Sequence, residues 1–185
     1  LTPVKIVVAG GFGVGKTTFV GAISEIEPLR SEAIITDASA GIDELYPDGT
    51  KTETTVAMDF GRISLKHRLV LYLFGTPGQD RFHFMWDELA RGAIGAVVLV
   101  DTRRIDACFA AIDFFEKRGT PFVVAVNTFH GRRIHEPELV REALRIGPEV
   151  PIVHCDARVR VDVQRTLMAV VEHTLERVMS EAAAS

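Results

Sequence analysis

Cysteine is scarce in this chain: Cys108 and Cys155 are the only two among 185 residues. A small disulfide-stapled scaffold is therefore excluded, and two thiols suit a reducing, cytoplasmic setting. Positive charge is short as well. Lys and Arg number 21 against 25 Asp and Glu, a net charge of −4, so no basic surface of the kind that grips nucleic acid is declared. Long apolar runs are missing. The longest, Ala93–Val100 with Gly95 inside it, falls far below the ~20 residues that a spanning helix needs. The opening Leu1-Thr2-Pro3-Val4-Lys5 does not read as a signal peptide, and no cysteine near the C-terminus invites prenylation. The histidines are scattered, with neither H-E-x-x-H nor C-x-x-C spacing, so a zinc centre is not expected. What is present is ordinary globular composition, 47% hydrophobic and 25% charged, at a length that suits one core. One domain over residues 1–180 is expected, with a loose tail at 181–185.

The chain alternates between strand-like and helix-like patterns. Val4–Ala9, Ala93–Val100 and Phe122–Val126 are short, continuous apolar runs, as strands buried on both faces tend to be. Pro151–His154 reads as the last strand. Thr55–Leu65 alternates apolar and polar positions, with a kink near Gly61. It joins Leu69–Phe74 through a short connection, which predicts an antiparallel hairpin. Helices are expected from Gly15 to about Ile26, over Arg103–Lys117, Pro137–Leu144 and Val159–Met179. Pro28–Thr54 carries Asp, Gly, Ser and Pro punctuation and reads as a long loop, with a short strand admitted at Ala33–Thr36. Strands alternating with helices imply an α/β fold. We expect a mostly parallel six-stranded sheet with one antiparallel edge strand and helices on both faces.

One motif carries specific chemistry. Gly10-Gly11-Phe12-Gly13-Val14-Gly15-Lys16-Thr17 fits G-x-x-x-x-G-K-[ST], with a buried strand before it and a helix starting within it. Such a loop turns successive backbone N–H groups inward around a phosphate, and the helix N-terminus adds positive potential. Lys16 is placed to reach the β- and γ-phosphates, and the Thr17 hydroxyl to bind Mg²⁺; Thr18 follows on the same helix. The chain is thus a candidate P-loop NTPase.

Beyond the loop, the chain resembles the Ras-like small GTPases over nearly its whole length. Thr54-Thr55-Val56-Ala57-Met58-Asp59-Phe60 is similar to their switch I, and Gly75-Thr76-Pro77-Gly78-Gln79-Asp80-Arg81-Phe82 to their switch II. The resemblance implies that Thr55 closes over Mg²⁺ and the γ-phosphate. It implies that Gly78 offers its N–H to that phosphate, and that Gln79 orients the attacking water. Asn127 stands where the guanine-reading N-K-x-D motif begins. Asp156-Ala157-Arg158 stands in place of S-A-K, so that the Ala157 N–H would meet the guanine carbonyl. The missing D-x-x-G aspartate resembles the bacterial MglA-like branch. The G-T-P-G-Q-D-R-F wording and the Cys155–Arg158 segment look closest to the actinobacterial conservon GTPases. Those imply a signalling role in the cytoplasm, GTP and GDP as ligands, a Roadblock-type partner and a sensor-kinase-like protein, with any membrane recruitment through the partners.

Two positions depart from the family pattern. Gly75 stands where an aspartate holds Mg²⁺ through water. Asp101 at a strand end and Asp37 in the loop are candidate substitutes, Asp101 reading better as a helix cap, and water with phosphate oxygens is the simpler alternative. Second, N-K-x-D becomes Asn127-Thr128-Phe129-His130. A neutral imidazole offers one acceptor and cannot take both guanine N–H groups, a loss of about 1.5–3 kcal/mol. Phe129 is free by its chemistry to stack on a base instead. The expected activity is slow GTP hydrolysis, with an arginine supplied by a partner or by Arg62 or Arg81. An ATPase or promiscuous NTPase and a non-hydrolysing pseudo-GTPase remain alternatives. Phe82, Phe84, Met85 and Trp86 after the glutamine suit either a partner surface or anchors of a short helix. Cys155, beside the base-binding turn, reads as a small buried residue.

Overall fold

The computed structural model of the chain describes all residues except Pro28, 37–52 and 132–133, and leaves the side chains of 29–36, 53–57 and His67 aside. Asp37 and most of the expected Pro28–Thr54 loop lie outside the described residues. Seven strands run in chain order: β1 Thr2–Gly10, β2 Leu29–Thr36, β3 Glu53–Ser64, β4 Leu69–Gly75, β5 Gly95–Val100, β6 Phe122–Asn127 and β7 Ile152–Cys155. The helices are α1 Lys16–Ile23, α2 Trp86–Ala90, α3 Phe109–Arg118, α4 Pro137–Leu144 and α5 Arg160–Ala184.

The sheet order is β2-β3-β4-β1-β5-β6-β7. β4, β1, β5, β6 and β7 are mutually parallel, and β3 runs antiparallel to β4, as the short connection at Lys66–Arg68 requires. This is the expected α/β architecture, with a seventh strand added: the strand admitted at Ala33–Thr36 begins at Leu29 and pairs antiparallel with β3 along its full length.

Every residue of β5 and β6 is buried, because helices cover both faces. On one face Ile6, Val8, Val97 and Leu99 pack against Phe19, Val20 and Val163 of α1 and α5. On the other, Val7, Ala9, Val98 and Val100 pack against Trp86, Ile112 and Phe115 of α2 and α3. Successive side chains along a strand point to opposite faces, so a single run of valines feeds both cores.

Three expected helices are corrected. α1 stops at Ile23, where Ser24 turns extended and its hydroxyl bonds the chain beyond. The helix expected from Arg103 opens as a 3₁₀ segment, Thr102–Cys108, broken by non-helical Arg104 (φ −141°, ψ 58°), and becomes α-helical only at Phe109. α5 continues through Ala184, so the expected loose tail is helical: three alanines favour the helix. No helix among the described residues is long and apolar enough to cross a membrane.

Candidate nucleotide-binding site

The loop between β1 and α1 is built to turn tightly. Gly15 has φ +109°, and a Cβ there would stand 2.7 Å from the Asn127 Nδ2, so no side chain fits. Lys16 is 8% exposed. Its ammonium donates to the Gly10 and Gly11 carbonyls at 3.0 and 2.8 Å. Burial lowers its pKa to about 8, with the Asp59 carboxylate pulling the other way. Val14 belongs to the core, while Phe12, Gly13, Thr17 and Thr18 face solvent, Phe12 being 65% exposed. Arg104, from the break after β5, donates to the Phe12 carbonyl at 2.8 Å and braces the loop from outside.

The strand next to Gly75 carries a carboxylate at the same level of the sheet. Asp59 pairs in register with Gly75 across β3 and β4, and its Oδ2 accepts from the Thr17 hydroxyl at 2.6 Å. A Cβ at Gly75 would lie 3.1 Å from the Asp59 Cβ; the glycine makes room for the aspartate. Asp59 lay inside the switch I-like stretch without an assigned role, since spacing along one chain does not show which residues oppose each other in a sheet. Of the two candidate substitutes, Asp101 is engaged elsewhere. Asp101 is buried and caps the 3₁₀ segment, accepting from the Arg103 N–H at 3.0 Å and from its guanidinium at 2.8 and 2.7 Å. The Arg103 side chain holds its pKa down. Asp37 is outside the described residues.

A hydroxyl and a carboxylate oxygen at the mouth of a phosphate loop form a hard-oxygen pair of the kind that suits Mg²⁺, an ion that keeps much of its water. The Thr76 hydroxyl, next to Gly75, is buried with no hydrogen-bond partner among the described residues, which leaves it free to bond a ligand or its water. Thr55 lies on β3 opposite Ile34, and its side chain is outside the described atoms.

The segment after β4 closes on the loop. A Cβ on Gly78 would stand 2.8 Å from the Lys16 Nζ and 2.9 Å from the Phe12 backbone nitrogen. Gln79 is exposed, and its side-chain oxygen accepts from Arg81 Nε at 2.9 Å. Of the two candidate internal arginines, Arg81 is thus engaged with Gln79 and stacks on Phe82. Arg62 sits by Ser24 at the far end of α1, with its Nε buried and without a partner among the described residues. The aromatic cluster divides: Phe82 and Trp86 are buried anchors, and Phe84 is 59% exposed.

The turns after β6 and β7 form the third wall. Asn127 is buried; its Nδ2 donates to the Val14 carbonyl at 3.0 Å, and its Oδ1 accepts from the Phe129 and Ala157 N–H groups at 3.3 and 3.4 Å. Phe129 and His130 both adopt left-handed backbone, at φ 42° and 71°. The Phe129 ring is taken by the Arg103 guanidinium, 4.5 Å from its centroid. Asp156 is engaged too. Arg158 gives it three hydrogen bonds, from its N–H at 3.0 Å and its guanidinium at 3.0 and 2.7 Å. Those bonds, with a smaller contribution from the His130 N–H, hold the carboxyl down at about 2. Cys155 is fully buried, and burial raises its thiol to about 11.

Comparison with known proteins agrees with this architecture. The chain is similar to the G domain of the T. maritima FeoB iron transporter, at 16% identity and a TM-score of 0.61, covering 92% of this chain and 98% of that one. It is equally similar to the FeoB G domain from Methanococcus jannaschii, at 12% identity and TM-score 0.61, covering 94% and 99%. These likenesses show the P-loop G-domain fold. An uncharacterized protein of Methanocaldococcus jannaschii is 31% identical over 102 residues, which are 55% of this chain and 53% of that protein; the match thus spans about half the length of that curated relative. Residues 8–177, almost the whole domain, match one family model, and the chain belongs to that family, described as conserved hypothetical ATP binding protein.

Proposed function

We propose that this protein is a small regulatory switch that binds GTP and GDP with Mg²⁺ and hydrolyses GTP slowly. The observation that carries the reading is the bond of Thr17 to Asp59 beside Lys16, because it gives a phosphate loop the acid that its own switch II-like segment lacks. The loop amides and Lys16 bind the phosphates, and Thr17 and Asp59 are the residues that would hold Mg²⁺, Asp59 through water. The ion supplies charge neutralisation at the phosphates. Thr55 closes from β3. Gly78 already lies against the loop, so a γ-phosphate there has to push or bond the Thr76–Trp86 segment, which is what a switch requires. Gln79 has to leave Arg81 to orient water; Arg81 is engaged with Gln79, and Arg62 lies by Ser24 at the far end of α1 from the phosphate loop. Slow intrinsic turnover follows, with a partner supplying about 10³–10⁵. By the conservon resemblance that partner is a Roadblock-type protein, in a cytoplasmic signalling assembly with a sensor-kinase-like protein. Phosphate release, measured with and without such a partner, tests this. No release in either case turns the protein into a non-hydrolysing binding module.

A second reading rests on the base site. His130 replaces the bidentate acceptor, and three Arg158 hydrogen bonds occupy Asp156, so neither of these two positions offers a free carboxylate to guanine N–H groups. This favours weak discrimination between GTP and ATP. Isothermal titration with GDP, GTP, ADP and ATP decides: tighter binding of ATP than GTP retires the GTPase name.

A further inference from the structure

The outward flank of α5 is apolar where a solvent-facing helix is expected to be polar. Val161, Met168, Val171, Leu175, Val178 and Met179 are all exposed, Met168 and Leu175 at 56% and Met179 at 70%. At the helical 100° per residue they fall in one band about 100° wide, separate from the Val163, Leu167 and Val170 positions that pack on the sheet. The band continues into a groove of ≈ 540 Å³ between α5 and the β3–β4 hairpin, where Ile63, Leu65 and Leu71 join it. A largely apolar surface of this kind, interrupted by Gln164 and bordered by Arg160 at the first turn, marks an interface on a charged protein.

We propose that this surface seats a second copy of the chain, α5 against α5, antiparallel about a two-fold axis. The charges on the rim choose the occupant and its direction. By helical geometry Arg165, Glu172 and Glu176 line one edge of the band, positive in the first half of the helix and negative in the second. A parallel pair sets this edge against the opposite edge of the other copy, where Arg165 meets neither glutamate. An antiparallel pair brings Arg165 of each copy to the glutamates of the other, and the two-fold axis makes that match twice. The only acid within salt-bridge distance of Arg165 among the described residues is Asp162, at a long 3.5 Å and on the same helix. The groove beside Met168 and Val171 receives apolar side chains of the facing helix. The surface uses none of the phosphate-loop residues, so association and nucleotide binding are separable.

Sedimentation velocity of the full chain over a concentration series tests the proposal. A reversible monomer–dimer equilibrium is expected. Met168→Glu with Leu175→Glu abolishes it, while the circular-dichroism melt and nucleotide binding stay as in the parent, since both side chains already face water. Arg165→Glu weakens self-association by about tenfold, and adding Glu172→Arg and Glu176→Arg to it restores the dimer. A parent chain that stays monomeric at every concentration overturns the proposal and leaves the patch to a different protein. A dimer indifferent to Arg165→Glu, or a charge-swapped triple variant that stays weak, overturns the antiparallel arrangement.

Discussion

Asp59 brings a carboxylate to the phosphate loop from a neighbouring strand. It sits opposite Gly75 on the neighbouring strand and reaches the Thr17 hydroxyl from there at 2.6 Å. Asp59→Asn keeps the shape and removes the charge. It should weaken Mg²⁺ in the nucleotide complex by ~10–100-fold and leave GDP affinity in EDTA unchanged; a Mg²⁺ titration of bound nucleotide reads this, and an unmoved curve refutes the role. Gly75→Asp alone sets two carboxylates against each other with Cβ atoms 3.1 Å apart, so it should destabilise the fold. Gly75→Asp combined with Asp59→Gly should recover both the fold and the metal response. Lys16 adds a pH signature. Its folded pKa, lowered to about 8 by burial, means the free protein loses the ammonium above that pH, whereas a bound phosphate favours the charged form. GDP affinity measured in EDTA should be flat below pH ~8 and then fall by up to tenfold per unit. A flat profile to pH ~10 excludes the lysine from phosphate binding.

At the scale of elements, the segment joining β4 to α2 is the piece able to report a bound phosphate. Its Gly78 lies on the phosphate loop, and Trp86 is tied to it: the indole N–H donates to the Pro77 carbonyl at 3.2 Å, while the ring packs edge-on to Phe114 and lies 4.1 Å from the His83 ring. Moving Pro77 strips a buried indole of its acceptor. Exchange of GDP for a non-hydrolysable GTP analogue should therefore change the emission of Trp86, the only tryptophan, and constant emission would count against a switch. The same elements show what was readable beforehand. β1, the glycine loop and α1 declare themselves because their chemistry is local: consecutive residues make one phosphate cradle. β5 and β6 declare themselves because strands buried on both faces are nearly continuous runs of apolar residues, rich in valine. The Asp101 cap was legible for the same reason, since the N–H it accepts from lies two residues on. Asp59 with Thr17, and Arg104 with the Phe12 carbonyl, were hidden because strand register and chain crossings bring together residues 42 and 92 positions apart. The break at Arg104 was hidden as well: apolar spacing over residues 105–115 fits a 3₁₀ start as readily as an α-helix.

Across the whole molecule, the site is where distant parts of the fold meet. Asn127 bonds the phosphate loop and the β7 turn together, Asp59 joins β3 to α1, and Gly78 rests on Lys16. An acidic protein of net charge −4 thus gathers its positive potential at one convergence point and sets Asp59 beside it, and that carboxylate repels a polyphosphate unless a cation intervenes. Global stability should therefore depend on ligand and metal together. At about 100 times its dissociation constant a nucleotide adds ~2.7 kcal/mol, which for a domain of this length is roughly 5–10 °C in Tm. GDP with Mg²⁺ should give a shift of that size in differential scanning calorimetry, and EDTA should remove a large part of it. Mg²⁺ without nucleotide should move Tm little, because two protein oxygens are a poor cage for an ion that holds its water tightly. In Asp59→Asn the GDP shift should persist while its EDTA-sensitive part disappears. A GDP shift equally large with and without EDTA in the parent chain would show that the acid at Asp59 holds no metal, and that its bond to Thr17 serves only to pin β3 against α1.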